Sequence, residues 1–175
     1  MLRGSRGTRK SVICTQGRSP ETSLWAGEME DIKFIVYGSP MGKQRPRFRR
    51  LGNKIMTYTP PETKEYENLV AKSYREQCNS PPFENDVPLW FMITAKFPIP
   101  KSYTKRQRQA IEEGQIYPLK KPDLDNICKV IMDGLNGVAF EDDSQIAGIV
   151  AHKVYTRGDP MVLVEIREMV TKNGM

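Results

Sequence analysis

Histidine and cysteine are scarce in this chain, with one histidine and three cysteines among 175 residues. Cys14, Cys78 and Cys128 are scattered, odd in number and outside any CxxC pair. That argues against a disulfide framework and a thiolate zinc site, and makes a reducing cytoplasm the expected compartment. His152 stands alone in a predicted strand, where a structural role is expected. No apolar run approaches the roughly 20 residues that span a bilayer. The basic start of the chain lacks the continuous apolar core of a secretory signal, so no membrane partner is expected. A glycine-rich phosphate cradle is also missing, and no nucleotide cofactor is expected. Core-forming residues are not lacking. Hydrophobic residues make up 38% and charged residues 27%, the profile of a globular protein of one-domain size.

Charge is unevenly spread. Residues 1–28 hold Arg3, Arg6, Arg9, Lys10 and Arg18 against Glu21 and Glu28, a net +3 out of the formal +6. Acid is absent from residues 41–54, MGKQRPRFRRLGNK, which carry Lys43, Arg45, Arg47, Arg49, Arg50 and Lys54. A second basic set comprises Lys101, Lys105, Arg106, Arg108, Lys120 and Lys121. Basic runs are usually solvated faces, but such clusters also supply phosphate contacts to DNA. Pro40 and Pro46 suggest that the first cluster is an irregular loop. Phe48, Tyr58 and Tyr103 are interleaved with the basic residues. Core packing is the default reading for each, and stacking on unpaired bases is the alternative.

Residues 1–28 show no helical or strand periodicity and read as a disordered or non-native extension, with a basic arm gripping nucleic acid as the alternative. A domain is expected over 29–170, with a tail at 171–175. Residues 32–38 (IKFIVYG) and 54–60 (KIMTYTP) read as strands. Residues 61–77 open with proline and place Tyr66, Leu69, Val70 and Tyr74 on one helical face. Residues 79–88 form a loop and 89–99 (LWFMITAKFPI) a buried strand. A short polar helix is expected over 104–114, capped by Thr104 and stopped by Gly114. Strands at 145–156 and 161–169 complete an α+β single domain, a mixed β-sheet packed with helices.

Between the short polar helix and these last strands lies KPDLDNICKVIMDGLNGVAFEDDSQ, residues 121–145. Ile127, Val130, Ile131, Gly134 and Leu135 follow a helical period and predict a helix over 125–134. Asp125, Lys129 and Asp133 fall on its polar side, with Asp123 at its start, and a strand-like VAF leads to Glu141, Asp142 and Asp143. Each acid has a plain reading as helix cap, i,i+4 partner or solvated turn. One cap accounts for only one of Asp123 and Asp125, however. Carboxylates brought together repel unless a cation neutralises them. An oxygen-only set favours Mg²⁺ or Mn²⁺ over zinc. On these grounds the metal site and the structural readings both stay open.

The ordered segment D-L-D-N-x-x-K, then D-G-L-N-G, then D-D-S-Q closely resembles the signature of the RusA family of Holliday-junction resolvases. The upstream GSPMGKQRPRF, residues 38–48, resembles the Gly-Lys-x-Arg-Pro-Arg loop of many members. The resemblance runs from about Ile32 to Glu168 and implies a RusA-like fold. It also implies Mg²⁺-dependent (or Mn²⁺-dependent) cleavage of branched DNA by a homodimer, in recombination and repair. By the same resemblance Asp123, Asp125 and Asp143 bind the metal and Lys129 serves cleavage, with Asp142 and Asp133 as supporting neighbours. Compact members often come from phages or prophages, so such an origin is expected. The competing readings are a nuclease preferring flaps or forks, a catalytically silent junction-binding protein, and a small-phosphate phosphatase. The basic clusters count against the last, and the intact Asp123, Asp125, Lys129 and Asp143 count against the silent binder.

Overall fold

Alternating apolar residues build the centre of the fold. The computed structural model describes residues 31–52, 54–78 and 80–169. The expectations for 1–28 and 171–175 lie outside the described residues. Strand β1 is Ile32–Tyr37, β4 is Leu89–Pro98, β5 is Ile146–Thr156 and β6 is Met161–Glu168. They form one sheet in the order β1-β6-β4-β5, with β4 and β5 parallel and the other pairs antiparallel. The sheet is mixed, as expected. Phe91 pairs with Ile166, Ile93 with Val164 and Ala95 with Val162. All six are buried, so period-two patterning places one face of the central strands in the core. The buried strand expected at 89–99 is β4, with alternate residues fully buried and those between them partly so.

Helices α1 (Pro61–Cys78) and α3 (Leu124–Leu135) supply the other half of the core. Helix α3 buries Ile127, Val130, Ile131, Gly134 and Leu135, the face that its periodicity predicts. A Cβ added to Gly134 would stand 2.8 Å from the Glu67 carbonyl oxygen and 3.0 Å from Val70 Cβ. The glycine therefore lets the two helices approach closely. Edge-on aromatic pairs lock the sheet to its cover, Phe34 with Tyr74 of α1 and Phe91 with Phe140 of the turn after α3. Between β4 and α3, helix α2 (Lys105–Glu112) starts in a Thr104–Gln107 capping box. Gly114 follows it at φ 69°, a backbone state that glycine adopts without a Cβ penalty.

Two segments differ from expectation. The basic stretch is not wholly an irregular loop, because β2 (Arg47–Leu51) and β3 (Lys54–Tyr58) pair as a hairpin turned at Gly52, φ 61°. Its ten residues are all exposed. Without a buried side, no apolar alternation marked β2 in the sequence. The VAF segment at 138–140 is a turn rather than strand-like. The Val138 and Ala139 amides both donate to the Leu135 carbonyl, at 2.9 Å, which keeps the chain coiled against the end of α3.

Candidate active site

The two motifs singled out in the sequence meet in space. The Lys43 amide donates to the Asn126 carbonyl at 2.8 Å, docking the basic loop on the first turn of α3. Gly42 permits this. A Cβ there would lie 2.8 Å from Pro122 Cβ and 3.1 Å from Asn126 Cβ. The Gln44 amide donates to Thr63 Oγ1, at 3.4 Å, tying the same loop to α1. Lys43 also forms an ion pair with Asp133. Thus one predicted DNA contact and one predicted supporting acid are each other's partners. Glu67 lies in their field: burial raises its carboxyl above the ordinary range, while Lys43 pulls it down and Asp133 pushes it up.

Helix α3 carries Asp123 and Asp125 at its N-terminal end, beside Asn126 on which this loop docks. Asp123 occupies the N-cap position, yet its side chain makes no capping hydrogen bond. The plain reading as a cap therefore leaves its carboxylate unexplained. Asp125 follows in the first turn, with Lys129 Nζ 3.9 Å from its Oδ2. Both side chains are more than half exposed, at 66% and 59%. A pair of that length and exposure is weak, so neither charge is committed to the other. Lys153 on β5, which no motif marks, donates to the carbonyls of Lys120 and Pro122 at 3.0 and 3.2 Å. It thereby fixes the chain just ahead of Asp123.

The second acidic turn divides its work between neighbours. Asp142 caps the short 3-10 turn Asp143–Gln145, accepting from the Ser144 amide at 2.8 Å. Hydrogen bonding to Ser144 holds its carboxyl below the usual range. Asp143 sits in the first turn and is exposed, with the capping role taken by its neighbour. Gln145 anchors the turn. Its Oε1 accepts from the Glu141 and Asp142 amides, and its Nε2 donates to the Glu84 and Val87 carbonyls. The sequence offered Gln145 only as a motif letter, and nothing in composition marked it as an anchor.

Among the described residues, no three acidic, histidine or cysteine side chains converge as a group that could hold a metal ion. Asp123, Asp125 and Asp143 are exposed carboxylates, the donor type a hard cation takes. They are not drawn together as a preformed triad. Of the basic residues, Arg45, Arg47, Arg49, Arg50 and Lys54 are exposed. In the second basic set, Arg108 is occupied by the carbonyls of Tyr103, Pro100 and Lys101. Tyr103 shares a 3.2 Å hydroxyl contact with Tyr155. It is structural, whereas Phe48 packs into no core and remains 74% exposed. His152 Nε2 lies 3.2 Å from Thr94 Oγ1 on the neighbouring strand.

Comparison with known proteins follows the same residues. The sequence model of the family described as endodeoxyribonuclease RusA matches residues 37–167. The uncharacterized protein YqaN of Bacillus subtilis (strain 168) is 35% identical over 147 residues, covering 81% of this chain and 99% of that protein. The crossover junction endodeoxyribonuclease rusA of Lactococcus phage r1t is 27% identical over 127 residues, covering 71% of this chain and 87% of that one. The family match takes in both the docked basic loop and the two acidic turns, and the chain belongs to the RusA family of endodeoxyribonucleases.

Proposed function

We propose that this protein is a divalent-metal-dependent endodeoxyribonuclease that resolves four-way DNA junctions by paired symmetric cuts. The observation that carries this reading is the docking of the basic loop on the acidic end of α3, through Gly42 and the Lys43–Asn126 hydrogen bond. It ties the segment that carries the exposed cations to the helix that carries Asp123 and Asp125. The phage relative, named a crossover junction endodeoxyribonuclease, supports branched DNA as substrate.

Asp123, Asp125 and Asp143 are the residues that would hold Mg²⁺ or Mn²⁺, and such an ion supplies an activated water and charge neutralisation at the scissile phosphate. The protein's own part is positioning. Lys153 fixes the approach to Asp123, and Gln145 fixes the turn carrying Asp143. Lys129, only loosely paired with Asp125, is free to turn its ammonium toward a phosphate on which charge develops. Asp142 and Asp133 support from behind, the one as a cap and the other as partner to Lys43. A four-way junction offers two symmetry-related strands, and a C₂ homodimer would present two equivalent sites to them.

The test is incubation with labelled four-way, flap and duplex DNA, with Mg²⁺ and with EDTA. Paired symmetric nicks in the four-way junction, lost in EDTA, are the expected result. Cutting confined to flaps, or cutting that persists in EDTA, would overturn the reading. Asp125→Asn is expected to abolish cleavage and leave junction binding within about twofold, because it removes a carboxylate and no cation.

A further inference from the structure

The hairpin of β2 and β3 is the part of the described structure least accounted for by folding. Every residue in both strands is exposed, with Phe48 at 74% and Ile55 at 72%. A lone two-stranded hairpin is marginal in water, and clustered exposed apolar side chains mark an interaction surface. We propose that this hairpin is an arm that takes unpaired nucleotides at a DNA branch, with Phe48 and Ile55 against the bases and Arg47, Arg49, Arg50 and Lys54 on the phosphates. The inference rests on the branched-DNA reading above and gives that substrate a surface of its own.

The register shows why a protein partner fits poorly. Phe48 pairs with Thr57 and Arg50 with Ile55, so one face carries two apolar groups and an arginine. Arg47 pairs with Tyr58, Arg49 with Met56 and Leu51 with Lys54, so the other face mixes three cations with three apolar groups. A strand that covers a protein core has one dry face. This hairpin has none, and a protein core would have to bury unpaired guanidinium groups. A second copy of the hairpin would bring the same charges, since residues 41–61 contain no acid at all. Residues 1–28 share that sign, with five basic residues against two acidic ones. A polyanion with accessible base faces answers both demands. Cations meet phosphates, and aromatic or aliphatic groups meet the flat face of a base. Continuous duplex satisfies only the first, because its bases are already stacked.

Position favours the same occupant. The arm leaves the body just after the loop whose Lys43 amide is fixed to Asn126, and returns directly into α1. Five residues at about 3.3 Å each would carry its tip roughly 17 Å outward from that anchor. DNA seated at the acidic end of α3 therefore lies within reach of the arm.

The experiment is anisotropy binding in EDTA, comparing a four-way junction with a duplex of equal length. A second junction carries 2-aminopurine beside the branch. Phe48→Ala is the probe, with thermal unfolding as the check on its fold. Loss of about tenfold in junction affinity is expected from one lost stacking contact. Duplex affinity should stay within about twofold, and the 2-aminopurine response should shrink. Ile55→Ala should act in the same direction, to a smaller extent. Equal losses on junction and duplex, or no loss on either, would overturn the inference. So would a fall in oligomeric mass in Phe48→Ala, which would assign the hairpin to self-association. A wild-type protein that bound junction and duplex alike would overturn the branched-DNA reading together with this one. Discrimination retained in Phe48→Ala overturns this one alone.

Discussion

Adjacent acids in this protein have different surroundings, and the difference lies in a single hydrogen bond. Asp142 accepts from the Ser144 amide, and that bond holds its carboxyl below the usual range. A depressed carboxyl contributes stability that is present above its ordinary value of 3.8 and lost as pH falls through the lowered one. Asp142→Asn keeps an acceptor oxygen, so activity should remain within a few fold, whereas Asp143→Asn should lose it by orders of magnitude. Steady-state cleavage of a junction by the two variants decides the point, and equal loss in both would remove the distinction. Lys43 provides a second test at this scale. Its charge lowers the Glu67 carboxyl, which burial raises. Lys43→Met should therefore move the Glu67 titration to higher pH, read by carboxyl NMR. The variant should also be less stable, because Asp133 loses its partner.

At the scale of elements, close approach matters more than propensity. In an exposed helix interior, replacing glycine by alanine gains about 1 kcal/mol. At Gly134 the new Cβ would meet the Glu67 carbonyl oxygen at 2.8 Å, a backbone atom that cannot rotate away. Overpacking of this kind costs about 1–3 kcal/mol. Gly134→Ala should thus be destabilising, by up to about 2 kcal/mol net, as measured by urea unfolding. A stabilised variant would show that α1 and α3 yield at their crossing. The sequence displayed much of this scale. The apolar face of α3, the Thr104 cap and the central strands were legible because each buries a periodic set or fills a capping position. Strand β2 was not, since RFRRL buries nothing and its pairing with Lys54–Tyr58 leaves no pattern in one strand alone. The turn at 138–140 reads as strand-like in the sequence for the opposite reason. Ala139 and Phe140 are fully buried, and burial in a turn looks like burial in a strand.

For the whole molecule, the question is how the proposed polyanionic substrate meets carboxylates that are not drawn together. Arg45, Arg47, Arg49, Arg50 and Lys54 stand exposed on the stretch that follows the loop docked on α3. Junction affinity should fall steeply with added salt, by about 0.9 log units per tenfold salt for each phosphate neutralised. The double variant Arg49→Gln, Arg50→Gln should reduce that slope by about two. Titrations at four salt concentrations would show it, and an unchanged slope would place the phosphate contacts elsewhere.

The sequence by itself determined the mixed α+β fold class, the buried face of α3 and the family, because each is written in residue order and period. It also named the acids and the basic residues. Tertiary structure alone decided which of them are already engaged. Lys43 is paired with Asp133, Asp142 with the Ser144 amide and Arg108 with three carbonyls, while Asp123 caps nothing. These partners lie from two to ninety residues away along the chain. Spacing along a sequence fixes neighbours on one helix or strand; a hydrogen bond or ion pair between elements depends on where packing sets them.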